Sequence, residues 1–107
     1  MNKITRDAKL TIQERVQTDQ AFAAALLNEA ASLFLNGEPE TARLILRDLV
    51  NATVGFEELA KETAKPSKSL HRMLSARGNP TMDNLTAILQ VLRKRLGVAL
   101  DVQVVPA

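Results

Sequence analysis

Pro66 constrains this chain more than any other residue. It sits between two short stretches, Phe56 to Thr63 and Ser67 to Ala76, whose apolar residues recur at helical spacing. Proline lacks an N–H and its ring clashes with the preceding turn, so one helix cannot run through both stretches. It also drives Lys65 toward an extended backbone. The sequence therefore predicts two short helices joined by a tight turn, and such a pair must cross steeply. Their contact needs a small residue and apolar neighbours, which Ala60, Leu59, Leu70, Met73 and Leu74 supply, with Ala64 at the turn. What remains outward on the second helix is Ser67, Lys68, Ser69, His71 and Arg72. Short polar and cationic groups near the start of a helix can reach base edges and phosphates. We therefore read a DNA-binding helix-turn-helix centred on Phe56 to Ser75, in preference to a plain αα-hairpin inside a bundle.

Further glycines and prolines cut the rest of the chain into helical lengths: Asn36-Gly37 with Pro39, Gly55, Gly78-Asn79-Pro80 and Gly97. A first helix is expected over Thr5 to Gln17 from the spacing of Ala8, Ile12 and Val16. A second opens on Asp19 as N-cap and runs to Asn36, with Phe22, Leu26, Ala30, Leu33 and Phe34 on one face and Ala23 and Leu27 beside it. Gly37 suits the position just past its end. A third starts at Pro39 and buries Ala42, Ile45, Leu46 and Leu49, leaving Arg43, Arg47, Asp48 and Asn51 largely outside. Thr81 caps a last helix whose stripe is Leu85, Ile88, Leu89, Leu92 and Leu96, ended by Gly97. From Val98 the period changes to two, with Leu100, Val102 and Val104 alternating with Ala99, Asp101 and Gln103, which predicts a strand.

The expected fold is thus mainly α: a helix-turn-helix bundle of about five to six helices with one C-terminal β-strand. The 107 residues suffice for one domain, divided into an N-terminal helical extension (1–37), a DNA-binding core (38–97) and a strand and tail (98–107). A lone strand leaves its backbone groups unpaired, so Leu100, Val102 and Val104 are expected to pair across a symmetric homodimer. Two recognition helices would then read a palindromic operator in successive major grooves.

Charge placement supports this reading. Residues 61–95 carry eight cations (Lys61, Lys65, Lys68, Arg72, Arg77, Arg93, Lys94, Arg95) against Glu62 and Asp83, while the whole chain is only +2. A basic segment in an otherwise acidic chain suits a phosphate-binding surface. The chain has no cysteine, so disulfides and thiolate metal sites are excluded. Its one histidine, His71, cannot build a metal site alone, and serves either in packing or as a phosphate contact. No cofactor motif or catalytic constellation is present: there is no Gly-rich phosphate loop, no acidic group near His71 on its helix, and Glu57 and Glu58 are adjacent and point apart. No signal peptide or apolar run of membrane-spanning length is present, so a soluble cytoplasmic protein is expected.

The chain resembles, over about Asp19 to Val105, a family of small bacterial helix-turn-helix regulators, the HigA-type or addiction-module antidote antitoxins. The resemblance rests on Ala23-Ala-Ala-Leu-Leu-Asn-Glu-Ala30, Leu44-Ile-Leu-Arg-Asp-Leu49, Glu58-Leu-Ala60, Ser69-Leu-His-Arg-Met-Leu-Ser75 and Gly78-Asn-Pro-Thr81. It implies a recognition helix in the major groove, repression of the protein's own operon, and binding of a small basic RelE-like toxin. It implies Ser67, Lys68 and Arg72 at base edges and Lys65, Ser69, His71, Ser75, Arg77 and Asn79 at phosphates. Two departures stand out. The usual turn glycine is Ala64, and the apolar turn residue and hydroxyl cap are Lys65 and Pro66, so either Ser67 caps the helix or Pro66 begins it. The competing readings are a solitary phage-type repressor and a protein-interaction module.

Overall fold

Asp19 opens the first complete helix as the sequence requires: its side chain accepts the Phe22 N–H at 3.1 Å. The computed structural model describes residue 12 and residues 14–107. Five helices follow in order, α1 (Gln20–Leu35), α2 (Pro39–Ala52), α3 (Phe56–Thr63), α4 (Ser67–Met73) and α5 (Met82–Leu96). The helix expected over Thr5 to Gln17 lies largely outside the described residues. Of it, residue 12 and residues 14–17 are helical and Val16 is buried. This segment is held to α1 by the Arg15 guanidinium, 4.5 Å from the Phe22 ring centroid. The Gln20 amide donates to the Leu96 carbonyl, which ties the start of α1 to the end of α5.

α1 and α2 pack along each other more extensively than any other helix pair. On α1 the fully covered line is Ala23, Leu27 and Ala30, whereas Phe22, Leu26, Leu33 and Phe34 are half-buried. The centre of the buried face is thus rotated from the one expected, onto Ala23, Leu27 and Ala30. α1 closes with the Glu38 N–H on the Leu33 carbonyl and the Gly37 N–H on the Phe34 carbonyl, a Schellman motif with Gly37 at φ 85°. Pro39 then begins α2, where its missing N–H has no partner to lose.

α2 buries Ala42, Leu46, Leu49, Val50 and Ala52, and also Arg43, which the sequence reading left outside. Arg43 lies three residues before Leu46 and seven before Val50, so helical spacing carries it onto the covered face. One core joins all five helices. Leu27, Leu46, Leu49, Leu59, Leu70, Leu74, Ile88 and Leu92 are fully enclosed in it. α5 contributes Ile88, Val91, Leu92 and Leu96, with Leu85 and Leu89 half-buried; Thr81 caps its start by accepting the Asn84 N–H.

No strand forms among the described residues. This corrects the expectation for Val98 to Val105, which follow α5 as irregular chain. Leu100 packs against the core, but Val102 and Val104 are 66% and 99% exposed. Period-two alternation makes a segment suited to a sheet; it does not supply the neighbour whose N–H and C=O groups a strand needs. The segment runs instead beside the C-terminal half of α1, near Ala31, Ser32 and Leu35.

Candidate nucleic-acid interface

α3 and α4 form the pair of short helices that Pro66 demands. α3 ends at Thr63, and Ala64 takes the left-handed conformation, φ 54° and ψ 38°. The Ala64 N–H reaches the Lys61 carbonyl and the Lys65 N–H the Ala60 carbonyl, so the turn is a Schellman closure with alanine in the glycine position. The left-handed backbone that glycine would accept freely is therefore present, and Ala64 carries its strain. Pro66, φ −62° and ψ 138°, is the last extended residue, and its carbonyl accepts the Leu70 N–H. The start of α4 is thereby settled: Ser67 is the first helical residue, and no side chain caps it.

α4 ends at Met73, three residues short of the expected Ala76. Its inner side is Leu70, with Leu74 just beyond the end, both fully enclosed, and Met73 half-buried against the same core. Lys68 and Arg72 are exposed and one helical turn apart, so they share the outward face. Ser67 and Ser69 are half-buried at its margins. His71 stacks flat on Phe56, with ring centroids 3.8 Å apart and planes at 18°. Its ring thus covers the first residue of α3 and packs the two helices together, one of the two roles open to it.

The remaining candidates surround this face unevenly. Lys65 is half-buried in the turn before α4. Arg77 and Asn79 are exposed in the connection after it. The Ser75 hydroxyl donates to the Arg72 carbonyl at 2.8 Å, so its proton is engaged in ending the helix. Gly78 is pressed against α4. A Cβ there would meet the Met73 carbonyl oxygen and sit 2.5 Å from that of Arg72. Leu100, Val102 and Val104 are not part of this face; they belong to the tail beside α1.

Two residues that hold the face in place escaped the sequence reading. Arg43 donates from Nε to the Ser75 carbonyl at 2.9 Å and from Nη2 to the Ala76 carbonyl at 2.7 Å. Its helical register with Leu46 and Val50 was the available signal. Phe56 was read only as the start of a helix, and its partner His71 could not be paired with it from spacing alone.

Among the described residues, no group of three or more His, Asp or Glu side chains is gathered closely enough to hold a metal. No helix among them is long and apolar enough to cross a membrane. In comparisons with known proteins, no family model matches the chain, and no curated protein or solved structure matches it.

Proposed function

We propose that this protein is a sequence-specific DNA-binding transcription regulator that reads the major groove with α4. One observation carries the reading: Lys68 and Arg72 project together from a short helix whose opposite side, Leu70 and Leu74, is locked in the core. Arg72 can donate two hydrogen bonds to a guanine edge, a geometry Lys68 lacks. Lys65, Arg77 and Asn79 lie in the turns on either side of α4, where phosphates would flank the groove. The test is selection of duplexes from a random library by the purified protein, followed by mobility shifts. Recovery of one consensus, with weaker and unselective binding by Arg72→Ala, supports the reading. Failure to enrich any sequence sinks it.

The finer proposal is that of a cytoplasmic antitoxin that represses its own operon and binds a small basic RelE-like toxin. The quoted sequence resemblance supports it, as does the acidic balance of the residues outside 61–95. We further propose that the working form is a homodimer in which Leu100, Val102 and Val104 pair with the same segment of a second copy. Among the described residues the tail makes no backbone–backbone hydrogen bond beyond the Val98 N–H, and Val102, Val104 and Val105 are exposed. Antiparallel pairing would satisfy both edges at once. A palindromic operator with half-sites about 34 Å apart follows from that symmetry. The neighbouring reading frame discriminates among the alternatives: a small basic protein encoded beside this chain favours the antitoxin, and its absence favours a solitary repressor.

A further inference from the structure

We propose that Arg43, which cannot itself reach a duplex, is a positioning residue for base recognition: it holds the C-terminal end of α4 so that Arg72 is aimed into the groove. The inference rests on the DNA-binding reading of α4 and extends it to a residue on a different helix.

Arg43 is only 8% exposed. Among the described residues its guanidinium joins no ion pair; the one salt bridge there links Arg15 and Asp19. It is satisfied instead by two consecutive backbone carbonyls, those of Ser75 and Ala76, directly after α4 ends. A helix leaves its last carbonyls without internal partners, and the negative end of its dipole attracts a cation. Ser75 and Ala76 follow the Leu74 cap, so Arg43 brings its charge to the negative end of α4 while its donors hold the two carbonyls just past that end. Hydrogen bonds from a charged donor are roughly twice as strong as neutral ones, and the planar fork fixes direction as well as distance.

The need for such a clamp follows from the length of α4. Seven residues form about two turns, too few to hold a helical shape by their own hydrogen bonds. The N-terminal end is set by the turn at Ala64 and Pro66. The C-terminal end is set by Leu74 in the core, by Gly78 against the Met73 and Arg72 carbonyls, and by Arg43. Arg72 is the sixth of the seven residues, and its own carbonyl takes the Ser75 hydroxyl. The same Ser75 presents its carbonyl to Arg43, so only one residue's backbone separates the clamp from the hydrogen bond at Arg72. Loss of Arg43 would therefore loosen the end of α4 that carries Arg72 and leave Lys65 to Lys68 as they are.

The test uses the full chain and a duplex that the wild-type protein selects from a random library. Arg43→Met keeps the length and removes the donors; Arg43→Lys keeps the charge and removes the fork. Both are measured at a temperature where circular dichroism shows each variant folded. For Arg43→Met the expected result is a tenfold or greater loss of affinity for the selected duplex, unchanged affinity for a scrambled one, and an unchanged salt slope. Arg43→Lys should fall between Met and wild type. The preference lost should be at the base pair that Arg72→Ala relaxes, and the double variant should be less impaired than the product of the two singles. A selected-to-scrambled ratio unaltered in both folded variants overturns the positioning role, as does a loss equal on both duplexes. Should Arg43→Met not fold, Arg43→Lys alone decides on the same ratio. A wild-type protein that selects no duplex refutes the DNA-binding reading itself, and this inference with it.

Discussion

Replacing Ala64 by glycine should stabilise the protein although it deletes a methyl group. Ala64 is the one non-glycine residue with positive φ among the described residues, and it sits where the Schellman closure of α3 demands a left-handed backbone. An L-residue there is disfavoured by roughly 1–2 kcal/mol because Cβ crowds the following carbonyl. Glycine escapes that strain but loses more chain entropy on folding, which returns about 0.4–1 kcal/mol. The Ala64 side is exposed, so the missing methyl removes little buried surface. The two hydrogen bonds of the turn, from the N–H groups of Ala64 and Lys65, involve backbone alone and survive the change. The balance is a gain of roughly 0.5–1 kcal/mol, or about 2–5 °C in melting temperature for a domain of this size. Thermal unfolding followed by circular dichroism reads it directly. Ala64→Val is the companion: a β-branched residue is least at ease at positive φ and should lower the melting temperature. If Ala64→Gly melts at or below wild type, the strain assigned to this turn is wrong.

Arg72→Ala should weaken binding to the selected duplex by about 1–3 kcal/mol and relax preference at one base pair, measured by mobility shift across single-base variants. Lys65→Ala should weaken binding to all sequences alike and reduce the slope of log K against log salt by about 0.9, provided Lys65 meets a phosphate. Gly78→Ala should destabilise by about 1–3 kcal/mol in urea unfolding, because its Cβ would press on the Met73 and Arg72 backbone carbonyls, which cannot step aside as a side chain can. Truncation after Gly97 should leave a folded monomer by light scattering, with operator affinity reduced to that of a half-site; a truncated chain that remains dimeric removes the tail from the dimer interface.

The helical framework is legible in the order of residues alone, because its markers act locally. Pro66 stops a helix arriving from the residues before it, Asp19 and Thr81 cap through their own side chains, and Gly37 and Gly97 close helices through the adjacent backbone. The stripe of Leu70 and Leu74 opposite Lys68 and Arg72 is likewise a matter of spacing along one helix. Tertiary structure decided what depends on distant partners. Arg43 reads as a solvated cation until the Ser75 and Ala76 carbonyls, more than thirty residues away, are brought to its guanidinium. His71 becomes a packing residue only when Phe56 is folded beneath it. The end of α4 moves back to Met73, where the Ser75 N–H turns to the Arg72 carbonyl and Gly78 closes on the Arg72 and Met73 carbonyls. Residues 98–105 show the converse. Their alternation satisfies the local condition for a strand, yet a strand is a relation between two segments, and among the described residues no second one pairs with it.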